Sequence, residues 1–540
     1  MTPSQPPKTP RPRPARDLGE LTARLAAEGR LRGTRLDGRP RATSELAGRR
    51  VTAGVTHDSR DVRPGGIFVA IPGARADGHD FAAAAATAGA AALIVERPLP
   101  ELAAAQLVVD DARGALASAA AWWFDDPSHE LLVVGVTGTD GKTTTAWLAV
   151  AALEAAGLRA GMVGTIATRI GGETVAHDEH ATTPEAPDLQ ATLRAMVDAG
   201  DQVVVLETTS HGLALQRVGS VAYDVAIMTN VTHEHLELHG TWEAYRDAKL
   251  SLFDRLRHAR PKPGRPSGEA VTAAIVNLDD PSAGAFIGVA RDAGARVLTY
   301  GTEEAADIRA THVAEDRSGL HLDVTAPSSA GRIDLRLAGR FNVHNALAVV
   351  ALGEALDLDS AAIRNGLGSV TGVPGRMERV DAGQPFEVIV DFAHSPASLQ
   401  TVLDLLAPSA AARGGGLIAV FGSAGERDTA KRPQMGRIAG ERSRLVVVTD
   451  EDPRGEARDA ILDEIARGAE AAGRRRGHDL LLIADRRVAI ETALEAARPG
   501  DTVLLAGKGH ERSIAGPDGD QPWDERAVAL EILAALGFPG

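Results

Sequence analysis

The chain has 540 residues, with a hydrophobic fraction of 44%, a charged fraction of 24% and a formal net charge of −15. That length exceeds a single hydrophobic core and predicts roughly two to four domains, centred on three. The absence of cysteine excludes disulfides, thiolate catalysis and Cys-based zinc sites, the acidic balance argues against a dedicated nucleic-acid binder, and no apolar run approaches the roughly 18 residues that a membrane span needs.

Met1 to Arg16 is rich in Pro, Lys and Arg and has no apolar stretch. It does not read as a secretory signal and is expected to be a disordered tail, with the protein soluble and cytoplasmic. Residues 17–128 carry short apolar strands at Gly66–Ile71, Ala92–Glu96 and Gln106–Asp110, with an Ala-rich helix at Phe81–Ala91. A small α/β domain is predicted there, closed by the linker Asp125-Asp126-Pro127-Ser128. Residues 129–337 open with the strand Leu131–Val136 and continue with strands at Gln202–Glu207, Val225–Asn230 and Ala273–Leu278. Helical stretches at Thr144–Ala156, Ala186–Asp198 and Thr241–Arg257 alternate with them. Such alternation implies a parallel sheet covered on both faces. His258–Gly268 reads as a surface loop, and Ile308–Leu337 alternates as hairpins do. Residues 338–540 hold five strand candidates: Glu387–Phe392, Gly416–Gly422, Arg444–Asp450, Asp479–Asp485 and Asp501–Gly507. They predict a second doubly wound sheet, Rossmann-like, whose ligands would sit beyond the strands' carboxyl ends. Asp391, Gly422, Asp450 and Gly507 lie at those ends. The fold class is therefore α/β in three domains.

Leu131–Val136 runs directly into Thr137-Gly138-Thr139-Asp140-Gly141-Lys142-Thr143-Thr144, and a helical stretch follows. Strand, glycine-rich turn and helix form the context of a phosphate loop, in which backbone N–H groups and the helix N-terminus favour an anion. Lys142 would reach the β- and γ-phosphates, and Thr143 would hold Mg²⁺. The plainer alternative is a glycine-rich turn with a chance lysine. Asp140 is an unusual charge beside phosphates unless it points outward or toward a metal. A phosphate loop alone fits many unrelated activities.

The loop is similar to the Gly-Thr-Asn-Gly-Lys-Thr form of the Mur ligase family, and further segments resemble that family in the same order. They are Thr182-Thr183-Pro184, Glu207-Thr208-Thr209-Ser210-His211-Gly212-Leu213 and Thr229-Asn230-Val231-Thr232-His233-Glu234-His235-Leu236. Next come Lys249, Asn277-Leu278-Asp279-Asp280 and Gly339-Arg340-Phe341-Asn342-Val343-His344-Asn345. Gly375-Arg376-Met377-Glu378, Asp391-Phe392-Ala393-His394-Ser395-Pro396 and Gly507-Lys508-Gly509-His510-Glu511 close the series. The resemblance spans roughly residues 50 to 515. It is strongest to the members that add a third residue, a diamino acid, to UDP-N-acetylmuramoyl-L-Ala-D-Glu. His57-Asp58-Ser59-Arg60 and Gly73-Ala74-Arg75-Ala76-Asp77-Gly78 resemble their uridine nucleotide domain.

The resemblance implies that ATP activates a carboxylate as an acyl phosphate, which an amine then attacks. Two anions must meet, so cations must neutralise them, and two Mg²⁺ ions are implied. The implied catalytic and metal residues are Lys142, Thr143, Glu207, His235 and Lys249. Lys249 would act as a carbamate, which requires a neutral amine and hence a depressed pKa. ATP would contact Gly138, Thr139, Asp140, Gly141, Lys142, Thr143 and Thr144, with Asn345, Arg376 and His394, between the central and third domains. A hinge is expected near Leu337–Arg340. The UDP-sugar would contact Ser59, Ala74, Arg75, Ala76, Thr182, Thr183, Thr209 and Arg217, although Ala181 and Leu215 depart from the family pattern. The amino acid would contact Arg427, Asp452, Arg454, Gly507 and Glu511. Arg454 favours meso-diaminopimelate, since diaminopimelate-adding members carry Asp-Asn-Pro-Arg where this chain has Glu451-Asp452-Pro453-Arg454. The extra acid at Asp452 favours a side chain ending in an amine alone, as in lysine or ornithine. Substrates apart, a monomer is expected. A sister ligase in the same superfamily, such as a folylpolyglutamate synthase or another Mur step, is one alternative, and a non-catalytic nucleotide-binding regulator built on the same fold is the other. Intact Lys142, Glu207, His235 and Lys249 count against the regulator.

Overall fold

The computed structural model describes residues 14–73, 76–176, 182–232, 236–262, 271–316, 318–328 and 330–539. They form two compact units. The first runs to Val313 and takes in His321–Ile333 and Val343–Leu367, and the second comprises Ala314–Leu320, Asp334–Asn342 and Gly368 onward.

The N-terminal part of the first unit is a six-stranded sheet in the order Arg39–Arg41, Leu31–Leu36, Ala105–Val109, Ala92–Val95, Ile67–Val69, Val55–Thr56. Three of its strands match the sequence expectation. The helices Leu18–Ala27 and Ala112–Trp123 were not anticipated. The second of these is buried on nearly every side, which its alanines permit because they allow close approach all round. Asp17 caps the first by accepting from the Gly19 N–H.

The central part holds a run of parallel strands in the order Ala160–Val163, Val203–Glu207, Leu132–Thr137, Val225–Met228, Ala273–Asn277, Arg296–Gly301, which Ile308–Asp316 continues in parallel. The side chains of the first five are buried throughout, with valine and isoleucine frequent among them, as strands covered on both faces require. Lys142–Ala155, Ala186–Ala199 and Trp242–Asp254 are helices close to the expected spans. The crossover that leaves Leu132–Thr137 runs to Ala160–Val163 on one side, whereas the later crossovers run the other way, so the crevice at its carboxyl end is a topological switch point. Ile308–Asp316, Gly319–Thr325 and Ala330–Leu335 are the strands expected as hairpins. The expected surface loop His258–Gly268 falls partly outside the described residues. Within it Lys262 is buried, because its ammonium pairs with Asp224 at 3.3 Å.

The second unit contains a sheet in the order Glu378–Val380, Glu387–Asp391, Thr502–Ala506, Leu417–Phe421, Leu445–Val448, Leu480–Leu482. All neighbours are parallel except the first pair. Separate apolar clusters, built around Leu403, Phe421 and Ile465 and around Val388, Ile490 and Leu533, fill its two faces. No helix among the described residues is long and apolar enough to cross a membrane.

Candidate active site

Register sets the first cluster. Val136 pairs with Glu207 and Thr137 with Met228, so three strands end side by side. The turn after Thr137 leads into helix Lys142–Ala155, with Gly141 at its N-cap in the left-handed region (φ 84°). A Cβ there would lie 2.5 Å from Asn345 Oδ1, so glycine serves both the conformation and the approach. Asn345 Oδ1 also accepts from Thr145 Oγ1 at 3.2 Å. Lys142 folds back over the loop, donating to the Gly138 and Thr139 carbonyls at 2.9 and 2.8 Å. Thr144 is buried in the first turn. Thr229 and Asn230 fix the backbone of Asp140, accepting from its N–H at 2.9 Å and donating to its carbonyl at 2.6 and 3.1 Å. The Asp140 residue is exposed.

Glu207 is fully buried and organises the next shell. Its Oε2 accepts from Thr143 Oγ1 and Thr165 Oγ1, both at 2.9 Å, and its Oε1 accepts from the Thr165 N–H at 2.9 Å. Thr165 Oγ1 reaches Thr182 Oγ1 at 3.1 Å. Thr183 Oγ1 donates to the Glu207 carbonyl and lies 3.0 Å from Thr209 Oγ1. Arg217 donates to the Thr183 carbonyl at 2.9 Å and pairs with Glu185 at 2.8 Å. The four threonine and arginine candidates for the sugar nucleotide are thus assembled around the carboxylate candidate for the metal.

Lys249 is 1% exposed, on helix Trp242–Asp254. Its Nζ donates to the Gly138 carbonyl at 2.7 Å and lies 4.4 Å from the centre of the Tyr245 ring. Lys142 and Lys249 therefore converge on one carbonyl oxygen. Tyr245 OH lies 3.0 Å from Thr139 Oγ1. His235, Ala74 and Arg75, and the departure at Ala181, lie outside the described residues. Ser59 begins a short 3-10 turn capped by Asp58, and the Ala76 carbonyl accepts from the Gly73 N–H at 3.0 Å.

In the second unit, Arg376 stands over the Phe392 ring at 4.7 Å, and that ring packs against His394 and His510 at 4.6 and 5.0 Å. Asp391 accepts from the N–H groups of Met377 and Ala393, both at 2.8 Å, which fixes these segments together. Asp452 does not stand free to receive an amine. It is 5% exposed, accepts from Lys508 Nζ at 2.8 Å, and accepts from the Ala515 N–H at 2.8 Å. Lys508, wholly buried, also pairs with Glu511 at 2.6 Å. Burial pushes the Glu511 carboxyl above its usual range, against the pull of Lys508. Glu451 is buried and its Oε2 has no hydrogen-bond partner among the described residues. That oxygen would lie 3.1 Å from a Cβ on Gly507. Arg454 adopts φ 54°, and its N–H donates to the Ala515 carbonyl at 2.8 Å. Neither Arg427 nor Arg454 pairs with a carboxylate among the described residues.

Three family descriptions match the chain: "Mur ligase family, catalytic domain" over residues 51–122, "Mur ligase middle domain" over 136–353 and "Mur ligase, glutamate ligase domain" over 375–509. The UDP-N-acetylmuramyl-tripeptide synthetase of Roseiflexus sp. (strain RS-1) is 47% identical over 494 residues, covering 90% of this chain and 96% of that protein. The chain belongs to the Mur ligase family. The UDP-N-acetylmuramoyl-L-alanyl-D-glutamate--2,6-diaminopimelate ligase of Geobacter metallireducens is 42% identical over 472 residues, covering 85% of this chain and 89% of that protein. A solved structure of a ligase of that same name aligns with a TM-score of 0.61 at 29% identity, covering 89% of this chain and 95% of that one.

Within this Mur ligase, sequence reasoning missed Thr165 and Tyr245, which hold Glu207 and the loop, Gly164, whose missing side chain leaves room for the Glu207 carboxylate, and Lys508, which neutralises Asp452. Thr165 left little signal in the sequence. It follows the short strand Ala160–Val163, which pairs in parallel with the strand of Glu207. The partner of Asp452 is 56 residues away and left no local trace.

Proposed function

We propose that this Mur ligase is the ATP-dependent enzyme that joins the D-Glu carboxylate of UDP-N-acetylmuramoyl-L-Ala-D-Glu to a diamino acid, in the cytoplasm, during peptidoglycan synthesis. The observation that carries the reading is the Thr143–Glu207–Thr165–Thr182 chain of contacts, which puts the phosphate loop beside the candidate sugar-nucleotide threonines. Residues 17–128 are assigned to the uridine nucleotide, 129–337 to ATP and 338–540 to the amino acid.

ATP phosphates are held by the Gly138–Thr144 loop, with Lys142 swinging from its two carbonyls onto the β/γ-phosphates. Asn345, Arg376 and His394 are assigned to the remainder of ATP. Thr183, Thr209 and Arg217 orient the muramoyl peptide so that its carboxylate meets the γ-phosphate. The acyl phosphate then forms on that carboxylate with loss of ADP, the amine attacks, and phosphate leaves. Water must be excluded until the amine arrives.

Mg²⁺ fits the donor chemistry. Thr143 hydroxyl and Glu207 carboxylate are hard oxygen ligands of the kind that hold Mg²⁺ together with substrate phosphates. Such ions would neutralise charge between the two anions. Thr143 and Glu207 are assigned to one, and His235 with carbamylated Lys249 to a second. Lys249 is buried and shares the Gly138 carbonyl with Lys142, so its amine stands beside the phosphate loop, where a carbamate would face the phosphates.

For the amino acid, Arg454 is available for a distal carboxylate and the unpartnered Glu451 oxygen for a distal ammonium, which together match meso-diaminopimelate. Lysine and ornithine share the ammonium alone, and the pairing of Asp452 with Lys508 removes the acid that favoured them. The test is phosphate release with ATP, UDP-muramoyl-dipeptide and each of the three amino acids in turn. Joint dependence on both substrates, greatest with diaminopimelate, is expected. ATP hydrolysis indifferent to either would defeat the reading, and equal use of lysine would defeat the assignment to Arg454.

A further inference from the structure

Arg432, in the first turn of helix Lys431–Arg442, has a side chain with no solvent exposure. Its guanidinium forks onto Glu456, Nη1 to Oε1 at 2.7 Å and Nη2 to Oε2 at 2.8 Å. It also donates to Glu464 at 2.9 Å and to the Ala424 carbonyl at 3.1 Å. A buried arginine is a poor device for stability alone, since apolar side chains of similar volume often do as well. Its placement suggests another use.

Two loops meet at this point. One follows strand Leu417–Phe421 and carries Glu426 and Arg427, and the other follows strand Leu445–Val448 and carries Asp452 and Arg454. Glu456 belongs to the second loop, yet its Oε2 accepts from the Glu426 N–H of the first at 3.0 Å. The Gly425 N–H donates to the Asp452 carbonyl at 2.8 Å. A Cβ on Gly425 would lie 2.1 Å from the Pro453 carbonyl oxygen. Glu426 and Arg454 both adopt left-handed backbone conformations, with φ 55° and 54°. Non-glycine residues hold such conformations only where their surroundings over-determine them, and such strain gathers at ligand clamps. Arg432 and Glu456 supply that determination for both loops at once.

We propose that the ion pair of buried Arg432 with Glu456 is the positioning element of the amino-acid subsite, holding the Arg427 and Arg454 loops in one fixed relation so that both guanidinium groups can meet the carboxylates of a single amino acid. The proposal rests on the ligase reading above. Arg432 and Glu456 touch no substrate in it. They act through the two loops. Arg432 keeps the Glu456 carboxyl charged, well below its ordinary range, so the clamp does not loosen across the pH range of an enzyme assay.

The experiment is steady-state kinetics on the full chain with Glu456→Gln, Arg432→Lys and Glu464→Gln. Glu464 touches Arg432 but neither loop, so it separates a structural role from a positioning one. Glu456→Gln and Arg432→Lys are expected to raise KM for the diamino acid about tenfold or more, as loss of a charge-assisted fork implies. KM for ATP and for UDP-muramoyl-dipeptide should stay near the wild-type values, and so should kcat at saturating amino acid. Glu464→Gln should leave all three KM values alone. An unchanged amino-acid KM in Glu456→Gln, or an equal rise in Glu464→Gln, would overturn the proposal. Should Arg432→Lys fail to fold, Glu456→Gln carries the test, because it changes one atom on a side chain 28% exposed. Absence of ligation by the wild-type chain would instead refute the ligase reading.

Discussion

Gly164 offers the sharpest perturbation of the phosphate-loop cluster. It sits at the end of strand Ala160–Val163, and its N–H donates to the Ala167 carbonyl at 3.2 Å. A Cβ at this position would lie 2.2 Å from Glu207 Oε1. Ordinary contact begins near 3.4 Å, so the carboxylate must retreat by roughly 1 Å, a misplacement that can cost about 10²-fold in rate. Glu207 cannot turn aside freely, because Thr143 and both donors of Thr165 hold its two oxygens. Gly164→Ala is therefore expected to lower kcat/KM for ligation about 100-fold, or roughly 2.7 kcal/mol of transition-state stabilisation. The assay is amide-coupled phosphate release, with thermal unfolding alongside to show that the variant is folded. A folded Gly164→Ala enzyme within about threefold of wild type would refute the idea that the Glu207 position matters to the chemistry.

Lys249→Ala should abolish ligation, and a small added carboxylate should restore part of it; full activity without rescue would remove the carbamate. Asp452→Asn should leave the preference among diaminopimelate, lysine and ornithine unchanged, because Lys508 and the Ala515 N–H already occupy that carboxylate; a switch of preference measured by competing substrates would contradict this. Glu456 has a folded-state pKa lowered from 4.5 to about 2, chiefly by its bond to Arg432. A depressed carboxylate pKa contributes stability that is present above the ordinary value and lost as pH falls through the folded one. Glu456→Gln should thus melt below wild type at neutral pH, with the difference closing between pH 4.5 and about 2; a difference independent of pH would show that the charge contributes nothing.

The doubly wound sheets were legible because their strands are long apolar runs ending in glycine or acid. Each of the five strands expected in residues 338–540 is present, from Glu387–Asp391 to Thr502–Ala506. Ala160–Val163 escaped notice because four residues after a Gly-Leu-Arg turn carry too little pattern. Helix Ala112–Trp123 escaped because alanine on every face has no amphipathic period. At the site, motifs named Lys142, Thr143, Glu207 and Lys249, but not what surrounds them. Which carboxylate is free and which is spent on an internal lysine is a matter of tertiary pairing. Asp452 and Glu451 are neighbours in sequence, yet one is bound by Lys508 and the other has an oxygen without a hydrogen-bond partner among the described residues.

In the proposed reaction one amide is made for each ATP cleaved. The direct measurement is mass spectrometry of the uridine-linked product from ATP, UDP-N-acetylmuramoyl-L-Ala-D-Glu and diaminopimelate, with ADP and phosphate quantified in the same mixture. The expected product is heavier by the amino acid less one water and forms in equal amount to ADP and phosphate. ADP and phosphate without that product, or none of the three, would contradict that reaction.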